Sequence, residues 1–315
     1  MQKNKQDNYK QFSPISPYLL TCKHNSKKIK AELFVKGVMM QHTNYHTHSF
    51  FCDGKGKPID YVREAEKKGF LALGFSSHAP LPYKNSWTLK EKDLEKYRET
   101  ILELKQSAER LDIYLGLEID YLPPHMSPYD QRFQPLDYTI GSVHIAEDMA
   151  THTFYELDGD EKKYKEAISF FGGVQQMVEW YYNQIAIMCK ETPPTIVGHF
   201  DLIKKNNPGN KYFTGEESWY KKAVEKALDA VADAGCILEI NTGGLARKKT
   251  TEAYPSDWIL SECRQRDIPV TLCSDAHDPA QIDFGLDDAL ESVKKAGYTE
   301  IYALLGGEWR PRSLE

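Results

Sequence analysis

What the chain does without narrows its class. Its six cysteines, Cys22, Cys52, Cys189, Cys236, Cys263 and Cys273, are scattered over 315 residues with no CxxC pair and no framework spacing. That excludes a disulfide-stapled scaffold and implies reduced thiols in a cytoplasmic protein. No apolar run approaches the roughly 20 residues that cross a membrane. No secretory h-region and no arginine-rich transit segment is visible. The body lacks a long basic run, and the net charge is −6. A nucleic-acid-tracking surface is therefore not its main business. Apolar residues at 41% and charged residues at 27% suit a soluble protein with a real core. The length suits one large α/β domain or two smaller ones.

Residues 1–38 differ from the rest. They hold eight lysines against two acids, Asp7 and Glu32, which leaves 32 basic and 44 acidic residues in the remainder, a balance of −12. They show no clear apolar periodicity. We read them as an N-terminal extension, loosely ordered or an over-extended gene start, with the domain proper spanning 39–315. A small docking element built on "ISPYLL" and "AELFV" is the competing reading.

From residue 41 a rhythm appears. Short apolar, β-branched stretches fall at 71–76, 113–119, 138–143, 195–200, 236–241 and 269–274. Amphipathic stretches predict helices over 58–68, 89–110, 161–190, 216–234, 256–266 and 284–296. Pro58 and Gly69 punctuate the first of these as start and stop signals should. Alternation of this kind implies a mostly parallel sheet. About seven repeats in one chain favour a closed barrel over an open sheet.

The residues that close these strands carry the chemistry. "NYHTH" supplies His46 and His48, with Asp53 soon after; one residue apart on a strand, two imidazoles share a face. "GFSSH" ends in His78, "GLEID" carries Glu118, and "GSVH" ends in His144. "VGHFD" carries His199 and Asp201, and "CSDAH" ends in Asp275 and His277. Any one of these could be a satisfied polar residue. Together they would crowd imidazoles and acids into one small volume, and buried charges need partners. Metal ions are such partners. Histidine and carboxylate without cysteine suit Zn, Mn or Fe. The number of ligand sets implies two or three divalent ions, with Glu118 as the natural bridge. Closely spaced ions of this kind favour phosphate ester hydrolysis.

The motifs "YHTHSFFCDG", "GFSSHAPLP", "GLEIDYLP", "LDYTIGSVH", "VGHFDLI", "EINTGGL" and "CSDAH" occur in one order from about residue 42 to near 305. In this the chain resembles the histidinol-phosphate phosphatases of the PHP superfamily. The resemblance implies a distorted (β/α)7 barrel with a trinuclear site at the C-terminal ends of its strands. It assigns His46, His48, Glu118 and Asp275 to a first ion. Glu118, His144 and His199 would hold a second, and His78, His277 and Asp53 a third. Asp53 stands where many relatives place a histidine.

The resemblance also implies hydrolysis of L-histidinol phosphate, a step of histidine biosynthesis on a small-molecule phosphate ester, with no nucleic acid or membrane as partner. Arg247 would grip the phosphate, with Asp275 or His199 assisting the leaving group. Lys204 stands where relatives often carry arginine and would touch phosphate as a point charge only. Asp120, Tyr121 and Tyr155 are candidates for reading the imidazole and amine. Two rivals remain open: a phosphoesterase for another monoester or a diester, and a non-catalytic metal-binding module. The second should show broken ligands, and none is broken.

Overall fold

The computed structural model describes residues 41–315. The expected extension, residues 1–38, lies outside the described residues. Seven parallel strands form one sheet: β1 (Thr43–Asn44), β2 (Ala72–Phe75), β3 (Asp112–Asp120), β4 (Tyr138–Ser142), β7 (Ile196–Val197), β8 (Ile237–Asn241) and β9 (Val270–Cys273). A parallel bridge between Thr47 and Ala276 brings the two edges together. The His48 amide donates to the Ala276 carbonyl at 2.9 Å and the Ala276 amide to the His46 carbonyl at 3.3 Å. The result is a nearly closed seven-stranded barrel. Its central strands are buried throughout, as parallel strands covered on both faces must be.

Helices α1 (Pro58–Lys67), α2 (Leu94–Ser107), α3 (Glu161–Phe171), α4 (Val174–Glu191), α5 (Ser218–Ala234), α6 (Gly243–Ala246), α7 (Asp257–Gln265) and α8 (Leu286–Lys295) complete the alternation. The single helix expected over 161–190 is two. Gly172 and Gly173 both take positive φ, 76° and 155°, where an ordinary residue would be strained, and they end α3. Two antiparallel hairpins were not expected. One pairs β5 (Ile145–Asp148) with β6 (Thr153–Glu156), and the other pairs β10 (Glu300–Leu305) with β11 (Glu308–Ser313).

The lower interior of the barrel is aromatic. Tyr45, Tyr114 and Tyr138 pack with Ala72, Ile140, Ile196, Ile237 and Leu304. Gly74 and Gly116 leave room for the Tyr138 ring, which a methyl at either would overlap. The Tyr138 hydroxyl donates to the carbonyls of Tyr45 and Phe75, at 2.5 and 3.1 Å. Trp309 of the C-terminal hairpin packs on Tyr45 with ring centroids 4.9 Å apart. This plug fills the lower end of the barrel. Among the described residues no helix is long and apolar enough to cross a membrane.

Candidate metal centre

His46 and His48 lie just beyond β1, whose pairing stops at Asn44. Their rings converge all the same, with centroids 5.0 Å apart, and both are fully buried. β3 raises Glu118 into the middle of the mouth, where it is 1% exposed. Its Oε2 lies 3.2 Å from His46 Nε2, 3.5 Å from His48 Nε2 and 2.8 Å from His78 Nδ1. Its Oε1 lies 2.8 Å from His199 Nε2 and 3.4 Å from His144 Nε2 and accepts from the Ser142 hydroxyl at 2.7 Å. One carboxylate thus faces five imidazoles, which is the geometry expected of a bridge.

The opposite rim belongs to Asp275, Asp53 and His277. Asp275 Oδ1 stands 3.2 Å from His48 Nε2 and 3.7 Å from His46 Nε2. Asp53 reaches His277 Nε2 at 3.3 Å and lies 3.7 and 3.8 Å from His48 and His78. Asp275 holds φ at +49°, a left-handed backbone uncommon outside glycine. Such strain persists where surrounding contacts over-determine it. Here Arg247 Nη2 donates to Asp275 Oδ2 at 2.7 Å and Nη1 to its carbonyl at 3.1 Å. Gly243 must lack a side chain, because a Cβ there would strike both partners of this pair.

The donor set fits divalent cations. His48 Nε2, His78 Nδ1 and His199 Nδ1 are buried without hydrogen-bond partners. The first two nevertheless approach Glu118 closely, out of hydrogen-bond alignment. His144 Nε2 and His199 Nε2 point at each other across 3.3 Å. Buried polar atoms are rarely left so. Three groups have ligand atoms close enough to share an ion: His48, Asp53, His78 and His277; His46, His48 and Glu118; His78, Glu118 and His144. His78 therefore faces the Glu118 side as well as the Asp53 side to which the resemblance assigned it.

Charge balance says the same. Burial works against the ionised form of Glu118, but His78, His46 and His144 outweigh it and hold its carboxyl well below the usual range. Burial likewise opposes a charged His144, yet Asp120 and Glu118 raise it to about 10. His48, by contrast, is pushed down to about 3 by burial and by the neighbouring His277 and His78. The acids demand positive charge, and the crowded rings cannot all be protonated to supply it. A divalent ion satisfies the carboxylates and leaves the rings neutral.

Several roles fall differently from expectation. Lys204 does not line the cavity; its Nζ donates to Asp201 and Glu252 at 3.1 and 2.6 Å. The 3-10 turn after Asp201 points Lys205 at the cavity instead, where it pairs with Asp158 at 2.7 Å. Asp120 is not free to read substrate, because it accepts from the His144 amide at 2.8 Å and lies 3.1 Å from that ring's Nδ1. The Tyr121 hydroxyl donates to Glu191 at 2.6 Å, and Tyr155 stacks on Phe170. Neither lines the cavity. Glu239, which sequence reasoning missed, is fully buried beneath the cluster and lies 2.9 Å from His46 Nδ1. The signal was present in "EIN": Glu239 and Asn241 put two polar residues on one face of an apolar strand.

Above the cluster opens a cavity of about 350 Å³. It is lined by the histidine–carboxylate group with Arg247 and Lys249, and by Glu156, Asp158, Asp160 and Lys205.

A parallel barrel with a histidine–carboxylate cluster at its C-terminal mouth defines a metal-dependent hydrolase. The model of the PHP domain family matches residues 44–243, and the chain belongs to that family. It is 32% identical over 271 residues to the histidinol-phosphatase of Bacillus subtilis, covering 80% of this chain and 99% of that protein. Two solved structures share the fold. One, from Listeria monocytogenes, has a TM-score of 0.69 at 23% identity over 78% of this chain and 99% of its own. The other is a histidinol phosphate phosphatase from Lactococcus lactis in complex with Zn, L-histidinol and phosphate. Its TM-score is 0.66 at 22% identity, over 86% of this chain and 99% of its own.

Proposed function

We propose that this chain is a metal-dependent phosphomonoesterase that hydrolyses L-histidinol phosphate to L-histidinol and phosphate, a cytoplasmic step of histidine biosynthesis. The observation that carries this reading is what shares the cavity. The metal-binding cluster meets Arg247 and Lys205 there, and Glu156, Asp158 and Asp160 line the same space. The substrate calls for both kinds of group, cations for its phosphate and acids for its amine. The histidinol-phosphatase likeness over most of the chain supports the same assignment.

Two or three divalent ions, Zn, Mn or Fe, would be held by His46, His48, Glu118 and Asp275, by Glu118, His144 and His199, and by Asp53, His78 and His277. When bound, they supply Lewis-acid charge for the phosphoryl oxygens and acidify water. The chain's own residues do the rest. Arg247 offsets charge that develops on phosphorus-bound oxygen. It also helps hold the Asp275 carboxyl well below the usual range, against the opposing effect of burial. Asp275 thus acts as an acceptor and not as the donor of the leaving alcohol's proton. Asp120 and Ser142 orient His144 and Glu118 through the contacts described above.

The test is a kinetic screen of the full chain, loaded in turn with Zn, Mn and Fe, on histidinol phosphate, p-nitrophenyl phosphate and bis(p-nitrophenyl) phosphate. Histidinol phosphate should give the highest kcat/KM. p-Nitrophenyl phosphate or the diester in first place would hand the site to another phosphate ester. Residues 39–315 form the catalytic barrel in this reading and residues 1–38 an appendage. A chain starting at Met39 should keep the specific activity of the full chain, and a large loss in a folded truncation would make the appendage part of the enzyme.

A further inference from the structure

We infer that Glu239 is a positioning residue that sets which nitrogen of His46 is free to bind metal. The inference rests on the metal-dependent reading above. His46 Nδ1 lies 2.9 Å from Glu239 Oε2 and 3.0 Å from Oε1. Its Nε2 faces the mouth, 3.2 Å from Glu118 and 3.7 Å from Asp275. A neutral imidazole carries one proton. Glu239 accepts it at Nδ1, so the lone pair at Nε2 points at the shared centre. A carboxylate behind a ligating histidine orients the ring and strengthens its donor nitrogen.

The surroundings of Glu239 make this assignment one-sided. Its Oε1 also accepts from the His199 amide at 2.7 Å and from Asn241 Nδ2 at 2.8 Å. Asn241 cannot turn over, because its Oδ1 accepts from the Gly243 amide at 2.8 Å. Oε1 is therefore pinned by two donors, while Oε2 serves His46. Glu239→Gln keeps the shape of the side chain but must put its carbonyl at Oε1 and its amide NH₂ against His46 Nδ1. The reverse orientation would press NH₂ against two N–H donors. The ring then carries its proton on Nε2, aimed at Glu118. A proton sits where an ion should bind.

The experiment has two readouts besides turnover. Histidine ¹⁵N chemical shifts in the full chain report the His46 tautomer, and metal titration of apo protein with Zn reports stoichiometry and affinity. The Zn-loaded parent should show Nδ1–H at His46. Glu239→Gln should show Nε2–H and weaken Zn binding at one site by about 10- to 100-fold. Parent-like tautomer and affinity in a folded Glu239→Gln would overturn the inference while leaving the phosphatase reading intact. Should that variant fail to fold, the Zn-loaded parent decides: Nε2–H at His46 overturns the inference, and Nδ1–H upholds it. A parent that binds no divalent metal sinks the metal-dependent reading instead, a different result from either.

Discussion

At the lower end of the barrel three tyrosines meet; at the upper end six histidines do. Both ends bury polar atoms deeply, yet they treat them differently. Below, every tyrosine hydroxyl has a partner: Tyr45 donates to the Leu304 carbonyl at 3.0 Å, Tyr138 to two carbonyls, and Tyr114 to Asp112 at 3.2 Å. Those bonds join neutral groups to backbone, apart from the one to Asp112. Above, carboxylates and ring nitrogens crowd one another while His48 Nε2, His78 Nδ1 and His199 Nδ1 lack hydrogen-bond partners. A satisfied polar network specifies a core. An unsatisfied one in the same barrel marks the place where a cation belongs. The difference teaches where to look for function: not at a single buried polar atom without a partner, as at Trp309 Nε1, but at several ionisable groups buried together without enough partners.

The comparison breaks most visibly at the upper end. His46→Ala and Asp275→Asn should each remove nearly all turnover and at least one bound ion, because both lie within reach of the shared centre. Metal analysis and a thermal melt distinguish this from misfolding. Either variant with near-parent activity would show that the convergence is incidental. Chelation of the parent should lower its Tm as well, since an ion that binds only the folded chain stabilises it.

Tyr138→Ala is the matching cut at the lower end. Removing a fully buried aromatic from a packed core costs about 3–5 kcal/mol. Urea unfolding should record that loss, while the folded fraction keeps its metal. Metal lost in parallel with stability would mean that the two ends are not separable.

Arg247 sharpens the boundary between ligands and substrate contacts. Arg247→Ala should lower kcat/KM by roughly ten- to a few hundred-fold, the loss of one charge-assisted contact of about 1.5–3 kcal/mol. Metal content should hold, because Asp275 keeps its histidine neighbours. Arg247→Lys should recover only part, since an ammonium lacks the planar fork. Kinetics with metal analysis on both variants tests this. Loss of metal in Arg247→Ala would recast the arginine as a brace for Asp275.

Much of the upper end was legible in the sequence because most candidate ligands lie at or just beyond strand ends, and strand order alone brings the ends of a barrel together. The helix ends at Gly69 and Gly235 were legible for the same local reason, a glycine stop. The β5–β6 hairpin was not. "IAED" opens with two buried apolar residues and closes with two acids, and "TFYE" is partly exposed, so neither carries an apolar alternation to read. That hairpin leads into Glu156 and Asp158, so these two acids of the cavity lining stayed hidden with it. Spacing could nominate Glu118 and Glu239 as inward polar residues but not their neighbours across the sheet. Glu239 meets His46 from 193 positions away.

The smallest expected effects separate two adjacent lysines. Lys204 and Lys205 have the same charge and nearly the same position in the chain, and the 3-10 turn over Leu202–Lys204 sends them apart. Lys205 reaches the cavity beside Asp158, whereas Lys204 reaches Asp201, which is fully buried and also accepts from the Ser256 amide and hydroxyl at 3.1 Å. Lys205→Ala should therefore lower kcat/KM by about two- to tenfold, a point-charge contact of about 0.5–1.5 kcal/mol, with little change in stability. Lys204→Ala should do the reverse. It leaves a buried carboxylate short of a donor, which costs about 1–3 kcal/mol of stability, and it leaves kinetics within about twofold of the parent, a shift below 0.5 kcal/mol. Steady-state kinetics and urea unfolding on the pair read both quantities. If Lys204→Ala impairs catalysis more than Lys205→Ala, the turn does not sort the two lysines as the structure has it, and Lys204 returns as the phosphate contact.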